Sequence, residues 1–154
     1  MRAMVRRRTC RITRNLIVGS FIGFTLLRPA VADDLLAGEY LTDGNFKLAI
    51  EEYTKSIAEK PNWAEPYVNR GAAYLSAGEL DKALKDESHA IKLLANGKDN
   101  ALLSIAYSNR GVIEDKLNRK GDALKDAEKA LKLDGNNAKA QEYILKSRKW
   151  KPEK

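Results

Sequence analysis

The sequence predicts an all-α fold, a solenoid of three helix-turn-helix repeats with a C-terminal capping helix, behind an N-terminal export signal. Two observations carry this prediction. Similar blocks of residues recur at spacings of 34 and 40 within residues 33–137, and a basic, then apolar, segment precedes them. Internal repeats of roughly 20 to 50 residues are typical of proteins that stack one structural unit on the next.

Residues 1–32 show the order of zones found in secretory signals. The segment has seven arginines and no acidic residue, an apolar run at 16–27, and the small residues Ala30-Val31-Ala32 at its end. The apolar run has 12 residues, whereas a membrane-spanning helix needs roughly 20. We expect cleavage after Ala32 and a periplasmic or secreted protein of bacterial type. A retained signal-anchor is the alternative.

The charge and cysteine content exclude several classes of function. The formal charge of +7 comes from the seven arginines of the signal, and the rest of the chain has 21 basic and 21 acidic residues. This balance predicts no nucleic-acid binding, which needs an excess of cations. The single cysteine, Cys10, lies in the signal, so the mature chain has no thiol for a disulfide, a metal or nucleophilic catalysis.

The repeats are visible as two blocks of residues that recur within the chain. The Tyr-x-Asn-Arg-Gly block of residues 67–71 recurs 40 residues later at 107–111, and the Ala-Leu-Lys-Asp block of 83–86 recurs at 123–126. Upstream, Gly44 and Ala49 match Gly78 and Ala83 at a spacing of 34. The chain therefore has three copies, the last preceded by an insertion at 98–103.

Small and aromatic residues recur at fixed places in each copy. The small residues of the first helix are Ala37, Gly71 and Gly111, the aromatics are Tyr40 and Tyr74, and the small residues of the second helix are Ala49, Ala83, Ala123, Ser56, Ala90 and Ala130. This pattern resembles the tetratricopeptide repeat (TPR) family. The resemblance implies a right-handed α-solenoid with repeats at 33–63, 64–97 and 104–137, a capping helix at 138–150 and a tail at 151–154.

Departures from the repeat predict local differences. Glu87 stands where repeat one has the aromatic Tyr53, which predicts looser packing of that helix, and Asn118 replaces a turn glycine. Asp99 or Asn100 can cap a helix, so the insertion predicts a first helix that begins about one to two turns early. A longer surface loop is the alternative.

The sequence contains no pattern of residues typical of catalysis. His89 is the single histidine, and the acidic residues alternate with lysine at helical spacing, as on a solvated helix face. There is no metal-ligand spacing and no phosphate-binding glycine loop. We therefore predict a protein that is not an enzyme, with no metal, cofactor or small-molecule substrate.

The resemblance implies that the first helices line a concave groove that binds another protein or a peptide segment. Asn69 and Asn109 are the predicted anchors, because an amide both donates to and accepts from a peptide backbone. The alternative is that either amide bonds a neighbouring helix. The whole predicted lining is Asp34, Leu35, Leu41, Thr42, Asn69, Ala72, Leu75, Ser76, Ser108, Asn109, Val112, Asp115 and Lys116.

Two further expectations concern the kind of partner. Family members that bind chaperone tails use a two-carboxylate clamp of lysine, arginine and asparagine. Asn69 matches the middle asparagine of that clamp, and the flanking clamp positions here are Asp34, Gly38, Ile105 and Asn109. None of them is basic, so that subtype is not predicted. Residues 138–154 have six basic and two acidic residues. This basic cap suggests an alternative function. The protein would then be a structural or assembly subunit of an envelope complex that contacts partners, or an anionic membrane surface, through the cap.

Overall fold

The computed structural model describes residues 30–97 and 99–149, with the side chains of residues 36–97 and 99–148. The predicted signal, except residues 30–32, lies outside this part of the chain, as do Trp150 and the predicted tail. The described residues form seven helices and no strand: α1 Ala30–Thr42, α2 Phe46–Glu59, α3 Glu65–Ser76, α4 Leu80–Leu94, α5 Asn100–Lys116, α6 Lys120–Leu133 and α7 Ala138–Lys149. None of these helices has the length and apolar character to span a bilayer.

The helices pack as three hairpins in chain order. Helices α1 and α2, α3 and α4, and α5 and α6 form the pairs, each second helix also packs against the next first helix, and α7 packs on α6 and α5. The core consists of small apolar clusters between successive helices. This arrangement confirms the predicted all-α solenoid with its capping helix, in which each repeat is stabilised by its neighbours.

The same backbone turn joins the two helices of each hairpin. Gly44 and Gly78 have positive φ angles of 75° and 80°, and Asn118 has a φ of 62° at the equivalent place in the third hairpin. Asparagine is among the few side chains that adopt this left-handed conformation readily. Asn118 therefore substitutes for the missing turn glycine without changing the turn.

Residues 100–103 of the insertion lengthen the first helix of repeat three. The 40-residue spacing places the equivalent of Glu65, where α3 begins, at Ile105, but α5 begins at Asn100 with Asp99 as its N-cap. The Asp99 side chain accepts a hydrogen bond of 2.9 Å from the Leu102 amide. Leu102 and Leu103 pack against the core cluster between α3, α4 and α5. The neighbouring helices thus cover the two leucines of the added turn.

The small residues predicted at the helix crossings have different neighbours. At Gly111, a Cβ atom would lie 3.1 Å from the backbone oxygen of Ala123, so this glycine permits close approach of α5 and α6. At Gly71, a Cβ atom would lie 2.8 Å from Oε1 of Glu87. The glycine therefore leaves room for the Glu87 side chain. Glu87 is completely buried, so the expectation of looser packing at this position is wrong.

The recurring arginines and aspartates pair with one another. Arg70 donates from Nε and Nη2 to the Asp86 carboxylate at 2.7 and 2.9 Å, and Arg110 does the same to Asp126 at 2.6 and 3.0 Å. Such two-point pairs have a well-defined geometry. They join the first and second helices of repeats two and three, which explains why the two sequence blocks recur at the same spacing.

The remaining guanidinium nitrogen of each arginine reaches the preceding repeat. Arg70 Nη1 donates to Thr54 Oγ1 at 3.0 Å, and Arg110 Nη1 donates to Ser88 Oγ at 3.4 Å. Thr54 and Ser88 are 34 residues apart, so they are equivalent positions on α2 and α4. Each arginine therefore contacts three helices.

Helix α7 is anchored at its start by a buried polar cluster. The Asn137 side chain accepts a hydrogen bond from the Ala140 amide at 3.1 Å and donates to Ser104 Oγ on α5 at 2.9 Å. Ser104 Oγ in turn donates to the backbone oxygen of Ala130 on α6 at 2.8 Å. The predicted packing stripe of α7 is confirmed, because Ala140 is buried and Tyr143, Ile144 and Ser147 are partly buried.

Candidate partner-binding surface

Helices α3, α5 and α7 lie on the inner side of the solenoid. Helix α3 contacts α5, and α5 contacts α7, whereas the second helices α2, α4 and α6 make no comparable contacts with one another. The closer spacing of the first helices curves the stack toward them. The predicted groove residues of α3 and α5 thus lie on the helices of the concave side.

The groove residues predicted in repeat one pack against or hydrogen-bond to other residues of the repeat, or their side chains lie outside the described part of the chain. The side chains of Asp34 and Leu35 lie outside the described part of the chain. Leu41 is half-buried and packs against the cluster of Ala37, Ala49, Tyr53 and Ala73. The Thr42 hydroxyl is exposed and donates to the Glu39 backbone oxygen at 2.8 Å. This part of the surface offers few unpaired polar groups.

Repeat two presents a more open row of side chains. Asn69, Ala72 and Leu75 are half-buried, and Ser76 is exposed with its hydroxyl donating to the Ala72 backbone oxygen at 3.0 Å. The Asn69 amide forms no hydrogen bond to any residue that the structure describes. It therefore retains the donor and the acceptor that the predicted peptide contact requires.

Repeat three divides the predicted lining into buried and open residues. Ser108 and Asn109 are 4% and 1% exposed, and the Ser108 hydroxyl donates to the Ile105 backbone oxygen at 2.9 Å. Val112 is half-buried, whereas Asp115 and Lys116 are exposed. The structure thus brings Val112, Asp115 and Lys116 together at the surface and places Ser108 and Asn109 beneath it.

Asn109 belongs to a polar chain that crosses three helices. Its Nδ2 donates to Glu87 Oε1 on α4 at 2.9 Å, and its Oδ1 accepts from Lys139 Nζ on α7 at 2.8 Å. At Asn109 the structure therefore shows the alternative considered from the sequence, an amide that bonds neighbouring helices. Asn69 and Asn109 occupy equivalent repeat positions but have different environments.

Glu87 is the buried carboxyl at the inner end of this chain. Burial raises the pKa of Glu87 well above its usual range, while the hydrogen bond from Asn109 and the Lys139 ammonium oppose that rise. Its second oxygen, Oε2, is buried and has no hydrogen-bond partner among the described residues. The sequence analysis did not predict this role of Glu87. The signal that could have indicated it is the glycine at position 71 together with a polar residue at position 87, where repeat one has the aromatic Tyr53.

A cleft opens where α7 meets the α5–α6 hairpin, and we name it the C-terminal cleft. Its volume is about 670 Å³, within the range of about 300 to 1,000 Å³ that is usual for ligand pockets. Apolar surface comes from half-buried Val112, Leu124 and Tyr143. The other lining residues are Asp115, Lys116, Lys120, Gly121, Lys139, Glu142, Lys146 and Ser147.

His89, the single histidine of the chain, lies on α4. His89 is exposed, and its ring packs at 4.5 Å between centroids against Tyr67. Among the side chains of residues 36–97 and 99–148, no group of three or more histidine, cysteine, aspartate or glutamate residues could hold a metal ion. Of the flanking positions of the chaperone-tail clamp, Ile105 is 44% exposed, Asn109 is buried and Gly38 has no side chain.

Comparison with known proteins identifies the repeat. A family model described as "Tetratricopeptide repeat" matches residues 105–137, on α5, α6 and the following turn. The Saccharomyces cerevisiae "Small glutamine-rich tetratricopeptide repeat-containing protein 2" is 32% identical to this chain over 111 residues. The match covers 71% of this chain and only 30% of the yeast protein.

Solved TPR domains have the same architecture. The second TPR domain of human RPAP3, solved with an HSP70 peptide, has a TM-score of 0.68 and 29% identity, covering 79% of this chain and 96% of that domain. The first TPR of Spaghetti (RPAP3), solved with an HSP90 peptide, has a TM-score of 0.69 and 28% identity, covering 78% and 90%. On the repeated residues, the helical hairpins and these similarities, the chain belongs to the tetratricopeptide-repeat family.

Proposed function

We propose that this protein is a non-enzymatic interaction module that binds an extended segment of a partner protein along α3, α5 and α7. The observation that carries the proposal is the open row on the concave side, from the Asn69 amide to Val112 and Lys116. The two similar RPAP3 domains were solved with peptides bound, which supports a peptide as the type of ligand.

The two asparagines have different parts in this proposal. Asn69 holds the backbone of the bound segment, because its amide is half-buried and makes no hydrogen bond to a described residue. Asn109 instead fixes the relative positions of α4, α5 and α7 through Glu87 and Lys139. The groove thus has one peptide-binding amide and one structural amide.

The peptides of the RPAP3 structures belong to chaperones, but we do not extend that specificity to this chain. The basic residues used by chaperone-tail binders are absent at Gly38, Ile105 and Asn109. The apolar Ile105 side chain is exposed at one of these positions. The proposed ligand is therefore an internal protein segment and not a chaperone tail.

Site-specific crosslinking in the native cell tests the proposal. A photoreactive residue at Ala72 should crosslink to a partner protein, and the same residue at Lys85 on the outer helix α4 should not. Asn69→Ala should reduce the Ala72 crosslink about two- to tenfold, the effect of losing one hydrogen-bonding group. Crosslinks from Lys146 and Arg148 alone would contradict the groove and favour the alternative role in an envelope assembly.

We also propose that the protein acts outside the cytoplasm, in a bacterial envelope. The support is the order of basic, apolar and small-residue zones in residues 1–32. Cleavage after Ala32 would remove the first three residues of α1, which begins at Ala30.

Fractionation followed by N-terminal sequencing checks this proposal. The expected product starts at Asp33 and is found in the periplasmic or secreted fraction. It should also migrate as a nearly neutral protein in isoelectric focusing, because 21 basic and 21 acidic residues remain. An intact Met1 or Arg2 terminus in the membrane pellet would show instead that the signal is retained.

A further inference from the structure

The C-terminal cleft lies beside a closed apolar cluster between α7 and the α5–α6 hairpin. At the start of α7, Ala140 packs against Ala127 and Ala130 in a closed apolar cluster. Tyr143 packs against this cluster and, together with Val112 and Leu124, is half-buried and lines the open cleft. The cleft therefore offers apolar surface that the described chain does not cover.

Helix α7 repeats the positions of α5 at a spacing of 34 residues. Lys139, Tyr143 and Lys146 follow Ile105, Asn109 and Val112 in this register. Ala106 and Ala140, which are equivalent, are both buried, consistent with the same register in space. The concave face thus becomes aromatic and basic on α7, where α5 is mainly apolar.

Charge is unevenly distributed around the cleft. Its lining contains four lysines and two carboxylates. One carboxylate, Asp115, accepts a hydrogen bond of 3.2 Å from the Tyr143 hydroxyl, and the other, Glu142, forms an ion pair of 2.6 Å with Lys146. Lys116 and Lys139 form no ion pair with any residue in the described part of the chain. The lining therefore has an excess of positive charge beside apolar surface.

Lys139 is also held in place. Its ammonium group donates to the Oδ1 atom of Asn109 at 2.8 Å, and Asn109 is itself bonded to buried Glu87. An ammonium group has three donors, so two remain for a ligand. A cation that is already positioned loses less conformational entropy on binding than a free surface lysine does.

We propose that the C-terminal cleft binds an acidic, internal part of the partner segment, with an apolar side chain between Val112, Leu124 and Tyr143 and carboxylates on Lys139 and Lys116. This inference rests on the proposed function and adds the chemistry of the partner. The carboxylates belong to side chains, so the cleft does not require a free chain terminus.

Two sets of short peptides with acetylated N-termini and amidated C-termini test the proposal. In one set a central leucine or phenylalanine is flanked by glutamate and aspartate; in the other the flanks are glutamine and asparagine. Binding of fluorescent forms to the mature chain is measured by anisotropy. We expect acidic peptides to bind at least about tenfold more tightly, with affinity falling as salt rises, because two charge contacts are lost in the neutral set.

A larger side chain at position 121 should block the cleft without disturbing folding. A Cβ atom added there meets nothing within 4 Å, so Gly121→Leu fills open space in the cleft. This variant should retain the thermal midpoint of the parent and bind the acidic peptides about tenfold or more weakly, since the apolar anchor is excluded.

Charge variants test the proposed cation contacts. Lys139→Gln and Lys116→Gln should each weaken binding about three- to fivefold. Lys85→Gln, at an exposed lysine on the outer surface, is the control for net charge and should bind as the parent does.

Other outcomes would overturn the inference in distinguishable ways. Equal binding of neutral and acidic peptides, or full binding by Gly121→Leu, would remove the cleft as the acidic site. If Asn69→Ala alone weakened peptide binding, the groove function would survive and the cleft assignment would fail. Binding to phosphatidylglycerol vesicles, with loss in the same lysine variants but no peptide binding, would assign the basic lining to a membrane surface instead.

Discussion

Replacing Arg110 by methionine is expected to lower the free energy of unfolding by about 3 kcal/mol, the cost of breaking a buried ion pair. Asp126 then keeps only the longer contact of 3.8 Å with Lys129. The Arg110 and Asp126 side chains are only 20% and 5% exposed, and two hydrogen bonds join them. Methionine keeps much of the side-chain volume and removes the charge. Urea denaturation at neutral pH measures the change.

An exposed ion pair on the same helix is the matched control. Lys125 and Asp122 lie 3.1 Å apart on α6 with side chains 72% and 59% exposed. Because water and salt screen such a pair, Asp122→Ser should leave the midpoint of unfolding essentially unchanged. Arg70→Met, at the equivalent position in repeat two, should behave like Arg110→Met. Equal, small effects for the arginine and control variants would show that the recurring pairs do not hold the hairpins together.

Replacing Glu87 by glutamine is expected to stabilise the protein at alkaline pH and to reduce the loss of stability as pH rises. Burial raises the pKa of Glu87 above its ordinary value of 4.5. Between the unfolded and folded pKa values, the native state therefore holds a proton that the unfolded chain has released. Stability falls as pH rises through this window, because the unfolded state binds fewer protons. Glutamine preserves the acceptor for Asn109 and does not titrate.

The comparison needs urea unfolding of both proteins from about pH 5 to about pH 8. The two should have similar stability at the acidic end, and the parent should become progressively less stable than Glu87→Gln toward the alkaline end. Burial also raises the pKa of Glu114. The free energy of unfolding of Glu87→Gln should therefore still fall as pH rises, but less steeply than that of the parent. A parent that gains stability over the variant as pH rises would show that Lys139 and Arg110 hold Glu87 ionised.

Local features of the fold could be predicted because they depend on residues close in the chain. Gly44 and Gly78 end their helices in the left-handed conformation, and Asp99 caps the lengthened α5. The stripe of α7 and the small residues of each hairpin follow from helical periodicity and repeat spacing alone. The turn and cap residues lie within a few residues of the structure that they specify, and the repeat spacing can be read directly from the sequence.

The site was only partly predictable from the sequence. Val112 is half-buried and Asp115 and Lys116 are exposed. The identical positions of Asn69 and Asn109 in their repeats did not distinguish a half-buried amide from a fully paired one. The difference arises because Glu87 and Lys139 both reach Asn109.

By itself, then, the sequence determined the all-α class, the three hairpins and the capping helix, since repeat spacing and helical periodicity specify them. Only the tertiary structure decided that Glu87 is buried against Gly71, that the recurring arginines bind the recurring aspartates, and that a basic cleft opens beside α7. Those contacts join residues from different helices. Their formation depends on how successive hairpins stack, and on which side chain fills the space that each small residue leaves.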